Sequence, residues 1–561
     1  MKHIFLIWVI VALLFTGQSE LYAQWFSPVK ARHAMVVSAD SLASAVGLEM
    51  IKKGGNAVDA SVAVAFTLAV TYPNAGNIGG GGFMFIRTPN NKVFALDYRE
   101  TAPLKASRDM YLNAEGEVIP DASLIGYKAC GVPGTVYGMW QAHKRFGKLK
   151  WKELLEPAVR LAENGFRINA LQAAMFKHHA PKMLRFPETA RIFYPNGQPL
   201  KEGDLLIQKD LAETLKRIQK YGLQDFYRGQ TAQKIAADMQ GNGGLITLED
   251  LQKYRAVWRK PVKIDYKGYT VYSMSLPSSG GILMAEILNT LSFFNPAVLG
   301  HNSARYIQLL TEIERQAYHD RAVYLGDPDF VSAPVARLTS RAYADSIRCH
   351  LSLLHAGKSK IDSIGQIKEG SQTTHFSVYD ASGWAVSNTY TLNGIYGSGV
   401  VIKGTGILMN NEMDDFSIKP GQPNQFGLIG NEANAIAPQK RMLSSMSPSI
   451  VLHNDSLFMV VGSPGGSTII TSVVQTILNA IEFKMNIRRA IEAPRFHHQW
   501  LPDLITLEQF GFNVDTINNL KNLGYRLKFV DQLGFVQGIM LKQQTIYGWG
   551  DPRGTGIALG F

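Results

Sequence analysis

One stretch, Ser371-Gln372-Thr373-Thr374-His375-Phe376-Ser377-Val378-Tyr379-Asp380, constrains the fold more than any other part of the 561-residue chain. It alternates small or polar with larger side chains, as a half-buried strand does. Asp380-Ala381-Ser382-Gly383 is a turn signal, and 384–392 reads as the returning strand. The chain must therefore hold an antiparallel hairpin, and pairing about residue 382 sets Thr391 opposite Thr373. Two facing hydroxyls are by themselves ordinary cross-strand packing. A Thr gains a built-in base when its own amine is a chain N-terminus, which here requires scission of the Gln372–Thr373 bond. The polar run 356–371 just before it is the one obvious flexible, cleavable join.

Around this hairpin the spacing predicts helices over 42–51, 57–70, 151–164 despite Pro157, 209–221, 230–239, 282–293 and 302–325. The Ala/Val-rich 57–70 is apolar nearly all round and should be buried. Strands are expected over 83–87, 93–98 and 404–410, with a pair inside 261–274. No repeat or low-complexity linker divides the chain, so one compact body is expected. Residues 1–23 read as an export leader: a basic start, a short apolar run and the cleavage site Leu21-Tyr22-Ala23. The mature protein is then soluble and exported, periplasmic or extracellular.

Several chemistries fail on the residues. Net charge is +12, from 57 basic and 45 acidic residues, but the basic residues are scattered and form no nucleic-acid stripe. Cys130 and Cys349 cannot make a disulfide framework; they could form one bridge in an oxidising compartment, but separate, buried thiols are expected. The run Gly79-Gly80-Gly81-Gly82 lacks the third Gly of a dinucleotide loop and the Lys of a P-loop, so it reads as close packing beneath a strand. His497-His498 finds no third metal ligand at suitable spacing.

Three features remain chemically suggestive. Arg99 ends a strand, where a guanidinium can reach a cleft and grip a carboxylate. Glu412-Met413-Asp414-Asp415 sets three acids in four residues, which repel one another unless a cation arrives. Calcium or a substrate ammonium would serve. The spacing lacks the calcium-loop rhythm, and an ammonium suits an Arg99-held carboxylate better. Gly462-Ser463-Pro464-Gly465-Gly466-Ser467 joins a strand (457–461) to a helix (468–483) and offers backbone N–H groups to an anion, a phosphate or an oxyanion.

Five words in order, Thr373-Thr374-His375-Phe376-Ser377, Asn410-Asn411-Glu412-Met413-Asp414-Asp415-Phe416, Leu443-Ser444-Ser445-Met446-Ser447-Pro448, Gly462-Ser463-Pro464-Gly465-Gly466-Ser467 and Ala493-Pro494-Arg495-Phe496-His497-His498-Gln499, resemble the γ-glutamyltransferase family (glutathione hydrolases) of N-terminal-nucleophile hydrolases. The resemblance implies an α+β fold, a four-layer αββα sandwich. It implies self-cleavage between Gln372 and Thr373 into a large chain (24–372) and a small chain (373–561). It gives Thr373 the role of nucleophile and Thr391 that of orienting it, with Gly465 and Gly466 as oxyanion donors. Arg99 would hold the substrate α-carboxylate with help from Ser444 and Ser445, and Asn393, Glu412 and Asp415 the α-amino group. Glutathione and other γ-glutamyl compounds would be donors, water or an amino acid or dipeptide amine the acceptor, with no cofactor and no metal. The loop 419–427 resembles the family's lid, with Phe426 where bacterial relatives often carry Tyr, which removes a hydroxyl from the closure. Two rivals stand beside this reading: a related acylase acting on glutaryl-type amides, and an exported, uncleaved protein that binds glutamate-like ligands without chemistry.

Overall fold

The computed structural model describes residues 27–360 and 373–561; the leader, Gln372 and most of the polar join lie outside the described residues. Two seven-stranded sheets stack face to face. In one, the strand order is Ile557–Gly560, Ala34–Ser38, Thr373–Asp380, Ala385–Thr391, Gly81–Arg87, Val93–Tyr98, Val257–Arg259. In the other it is Val29–Ala31, Thr545–Gly550, Gln537–Lys542, Ser456–Gly462, Ser449–His453, Tyr269–Ser273, Val262–Tyr266. Neighbouring strands in both are antiparallel. Strands from before and after residue 372 are thus interleaved in each sheet.

The period-2 rule assigns the faces. Met35, Val37, Phe83 and Phe85 point inward and share a core with the second sheet. Their neighbours Val36, Met84, Ile86, Phe376 and Val378 point outward toward the helices Ser41–Lys52 and Ala57–Thr71, with Trp151–Asn164 packed against Ala57–Thr71. Every residue of Ala57–Thr71 is buried, as its all-round apolarity requires. On the far side, Gly280–Leu291, Ala304–Tyr324 and Ile469–Ile481 cover the second sheet. Helix, sheet, sheet, helix is the four-layer order expected.

The hairpin carries the register read from its turn, Thr373 opposite Thr391 and Tyr379 opposite Ala385. Thr373 shares the inward face with His375 and Ser377. That face is polar and fully bonded: Ser377 Oγ donates to the Gln537 carbonyl at 3.1 Å, and His375 Nδ1 meets Thr389 Oγ1 at 2.8 Å. Burial pushes the His375 imidazole down to about 3, so it is neutral. Gly462 of the second sheet lies against the His375 ring, where a Cβ would come within 2.3 Å of it. That contact holds the two sheets close beneath Thr373.

Three expectations are corrected. The strand expected over 404–410 shortens to Ile407–Leu408, because Gly404 and Gly406 adopt positive φ and bend the chain. The helix expected from 468 opens as a 3₁₀ turn, Gly466–Thr468, before the α-helix Ile469–Ile481. Cys130 is buried and free as expected, but Cys349 is exposed, on the last turn of the amphipathic surface helix Arg341–His350.

Candidate active site

Thr373 begins its strand, buried, with its hydroxyl 3.4 Å from Thr391 Oγ1. Thr391 Oγ1 also accepts from the Asn393 amide at 2.8 Å, which fixes where that hydroxyl can point. Asn393 sits in the left-handed region (φ 70°), a conformation Asn tolerates, and turns the chain out of the hairpin. Its Nδ2 donates to the Asn411 carbonyl at 3.0 Å, and the Gly394 amide donates to Asn411 Oδ1 at 2.7 Å. The hairpin end is thereby tied to the acidic segment, which forms the 3₁₀ turn Glu412–Asp415.

Arg99 follows the strand Val93–Tyr98 and is completely buried. Its amide donates to Asp97 Oδ1 at 2.9 Å, its carbonyl accepts from Tyr254 OH at 2.8 Å, and its Nε donates to the Met442 carbonyl at 3.3 Å. The guanidinium ends then bond Glu412 and Asp415, the latter at 2.5 Å. Burial opposes the charge on Arg99, but Glu412 and Asp415 hold it protonated. The cation that the acidic run demands is therefore already in the protein. The third acid is placed differently: Asp414 accepts from Ser123 Oγ at 2.8 Å and from the Gln425 amide at 3.0 Å. Two acids face the site and one anchors the 419–427 loop.

That loop closes over the turn after the strand Ser456–Gly462. Asn424 Nδ2 donates to Asp415 Oδ1 at 3.1 Å, and the Phe426 ring lies flush on Gly466, where a Cβ would come within 2.4 Å of Phe426 Cδ1. The histidine pair is structural: Thr471 Oγ1 meets His497 Nδ1 at 2.9 Å, His497 Nε2 meets Gln499 Oε1 at 2.8 Å, and Gln499 Nε2 donates to the Phe426 carbonyl at 3.2 Å. Gly465 and Gly466 take φ 139° and 57°, open to glycine with little strain. The Thr468 amide and hydroxyl both donate to the Gly465 carbonyl, at 3.0 and 2.9 Å. In a planar trans peptide the Gly466 N–H then points the opposite way, out of the helix turn.

Thr373, Thr391, Asn393 and Gly466 line one cavity, and Arg99, Glu412, Asp415, Ser444 and Ser445 line the same one. Among the described residues to which the resemblance gives a catalytic or binding role, only Gly465 lies outside its wall, next to Gly466. The cavity holds about 20 Å³, room for one water. Two buried polar atoms in it, Glu412 Oε2 and Ser445 Oγ, have no hydrogen-bond partner. Sequence reasoning missed Arg321, which also lines the cavity. Its Nε donates to Ser279 Oγ at 3.2 Å, and among the described residues it has no carboxylate within 4.0 Å. Burial pulls it down to about 10, so it stays charged. The signal was present: Leu310, Glu314, Ala317 and Arg321 recur at helical spacing on one buried stripe.

The Gamma-glutamyltranspeptidase family model matches residues 43–561. The chain is 48% identical to the glutathione hydrolase proenzyme of Escherichia coli (strain K12) over 532 residues, 94% of this chain and 92% of that protein. Among solved structures it is similar to cephalosporin acylase from Bacillus halodurans, with TM-score 0.84 and 27% identity over 95% of this chain and 97% of that one. It is also similar to gamma-glutamyltranspeptidase from Helicobacter pylori, with TM-score 0.56 and 46% identity over 56% of this chain and 90% of that one. A family match over nearly all of the chain, and close to half of its residues shared with a curated member, place it: the chain belongs to the gamma-glutamyltranspeptidase family.

Proposed function

We propose that the protein is a glutathione hydrolase and γ-glutamyltransferase made as a self-cleaving precursor. One observation carries the reading. A Thr at the start of a strand shares a cavity with a glycine turn and with a buried Arg–Glu–Asp cluster suited to an amino acid's α-carbon groups. In maturation the Thr373 hydroxyl attacks the Gln372 carbonyl, the peptide becomes an ester, and water hydrolyses it. That frees the Thr373 amine and leaves a large chain (24–372) and a small chain (373–561), held together by their interleaved strands. The word proenzyme in the name of the Escherichia coli relative supports this step.

In turnover Thr373 Oγ attacks the γ-glutamyl amide, with the freed amine as base. An α-amine has an ordinary pKa near 8, close enough to neutral to take the proton. Thr391 orients the hydroxyl, and the Gly465 and Gly466 amides receive the oxyanion. The leaving amine departs, and water or an acceptor amine resolves the ester. The reading needs no cofactor.

Substrate binding is an exchange of ion pairs. The substrate α-carboxylate takes Arg99 and the unpartnered Ser445 hydroxyl beside Ser444, with Arg321 adding positive potential. The α-ammonium takes Asn393, Asp415 and the free oxygen of Glu412. A cluster already balanced and desolvated receives a zwitterion of matching sign, so no lone charge is buried. A cavity of about 20 Å³ admits this group only after Phe426 and its loop give way. Glutaryl-type substrates lack the ammonium, and Glu412 and Asp415 therefore favour γ-glutamyl over acylase chemistry. The 1–23 leader supports export to the periplasm or beyond, and no helix among the described residues is long and apolar enough to cross a membrane.

Denaturing electrophoresis with mass spectrometry tests the reading. The wild type should give two fragments, the smaller beginning at Thr373, and should hydrolyse γ-glutamyl-p-nitroanilide. Thr373→Ala should remain one uncleaved, inactive chain. Active wild-type protein with residues 372 and 373 still joined would remove the base and overturn the mechanism.

A further inference from the structure

Two guanidinium groups line the cavity, and they are anchored alike. Arg99 Nε donates to the Met442 carbonyl at 3.3 Å. Arg321 Nε donates to Ser279 Oγ at 3.2 Å, and the Ser279 hydroxyl and amide both donate to the Ser444 carbonyl, at 2.8 and 2.9 Å. Each arginine is thus held by its Nε against one short segment, 442–446, directly or through Ser279. The segment is braced further. The Ser444 amide donates to the Pro277 carbonyl at 2.8 Å, and Ser278 Oγ donates to the Met446 carbonyl at 2.7 Å. Ser445 lies between these ties with its hydroxyl unpartnered.

The two arginines differ in what their remaining nitrogens do. The Nη groups of Arg99 bond Glu412 and Asp415. Those of Arg321 make no hydrogen bond among the described residues, although Arg321 is only 5% exposed and lines the cavity. Resting on the γ-glutamyl reading above, we infer that Arg321 is a specificity-determining residue, donating through its Nη groups to the α-carboxylate of the γ-glutamyl donor. A carboxylate that pairs with Arg99 must draw it from two acids already bonded to it. Arg321 gives up no such partner, and its planar fork matches a carboxylate. The carboxylate is then shared between the two arginines, with Ser445 beside them.

Arg321 is held where this requires. It lies in the last turn of the helix Ala304–Tyr324, the carbonyl end, which favours a cation. Burial weakens its charge, and Asp415 supports it. Two earlier residues of the helix tie it to neighbouring walls: Tyr318 OH donates to the Ser467 carbonyl at 2.6 Å, and Glu314 Oε2 accepts from the His498 amide at 3.1 Å. A ligand with an ammonium and no carboxylate gains nothing from Arg321 and is repelled by it. The residue therefore acts on one end of the substrate only, and that separates it from a general support of the site.

The test uses three p-nitroanilides with the same reacting amide: γ-glutamyl, glutaryl, which lacks the ammonium, and 4-aminobutanoyl, which lacks the carboxylate. Arg321→Gln should lower kcat/KM for the first two by about 10- to 100-fold, mostly through KM, the range of a hydrogen bond to a charged group. It should leave the third unchanged or raised. Single turnover at high enzyme concentration reads slow substrates, and competitive inhibition by glutarate against 4-aminobutanoate gives the same comparison without turnover. Self-cleavage into two fragments on a denaturing gel reports that a variant folds. Ser279→Ala keeps the guanidinium and removes its Nε anchor, so it should lower the first two by about 2- to 10-fold and spare the third. It carries the test if Arg321→Gln does not fold. Equal losses on all three substrates, or no loss on the two that carry a carboxylate, overturn the inference. A wild type that fails to hydrolyse γ-glutamyl-p-nitroanilide refutes the γ-glutamyl reading and this one with it, whereas hydrolysis without the substrate pattern refutes this one alone.

Discussion

Replacing Asp415 by Asn keeps the shape of the site and removes one charge. Asp415 Oδ2 accepts from Arg99 at 2.5 Å and Oδ1 accepts from Asn424 at 3.1 Å, so both oxygens act as acceptors in a buried setting. In the proposed complex the substrate ammonium becomes a further donor to this carboxylate. Losing one member of a buried, hydrogen-bonded charge pair costs about 2–5 kcal/mol. At tenfold per 1.4 kcal/mol, kcat/KM for γ-glutamyl-p-nitroanilide should fall roughly 30- to several-thousand-fold. Glutaryl-p-nitroanilide is the internal control, since it has the same acyl chain without the ammonium. Its kcat/KM should change by less than about tenfold, because the Arg99 contact to Glu412 survives in the variant. The assay is p-nitroaniline release from both substrates, with a thermal scan to confirm folding. Equal losses on both substrates would mean that Asp415 merely supports Arg99. An unchanged rate on the γ-glutamyl compound would remove Asp415 from the site altogether.

Gly465→Ala should lower kcat by about 10²–10³ with a smaller effect on KM, the usual result of spoiling an oxyanion donor. A Cβ at φ 139° is strained and would meet Thr468 Oγ1 at 2.5 Å, so the turn must shift; single-turnover p-nitroaniline release reads the acylation step directly. Glu100→Gln tests a pH effect on stability. Burial pushes this carboxyl from its ordinary 4.5 up to about 7, and neither of its oxygens has a hydrogen-bond partner. The native state then holds a proton that the unfolded state has lost, so stability is full below about 4.5 and declines as pH rises toward 7. Urea unfolding of the wild type should weaken from pH 5 to pH 8, and Glu100→Gln should flatten that slope. An equal slope in both would show that Glu100 is ionised throughout.

Much of this site was legible because its chemistry is written in short, contiguous words. The hairpin register follows from a turn signal and period-2 alternation, both local, and Thr373 opposite Thr391 needed nothing from elsewhere in the chain. The glycine turn is equally local, since a strand running into two glycines and a helix predicts its geometry. The buried helix Ala57–Thr71 announced itself by composition, and the strand Val93–Tyr98 by its end at Arg99. Cys349 was misjudged because a thiol carries no local sign of the face it occupies.

What stayed hidden depends on pairs far apart in sequence. Arg99 and Glu412 are 313 residues apart, and only the folded chain sets them in contact. A run of three acids therefore looked like a site awaiting a cation, when two of them already share Arg99 and the third ties the 419–427 loop to Ser123. That difference changes the energetics of binding. An empty acidic pocket would gain a full new ion pair from any amine, and would bind ammonium compounds indiscriminately. A pocket closed by its own guanidinium gains only when a ligand supplies a carboxylate and an ammonium together, since either alone leaves Arg99 or the two acids without a partner. In the proposed complex, selectivity for an amino acid's α-carbon groups thus follows from the internal ion pairs themselves.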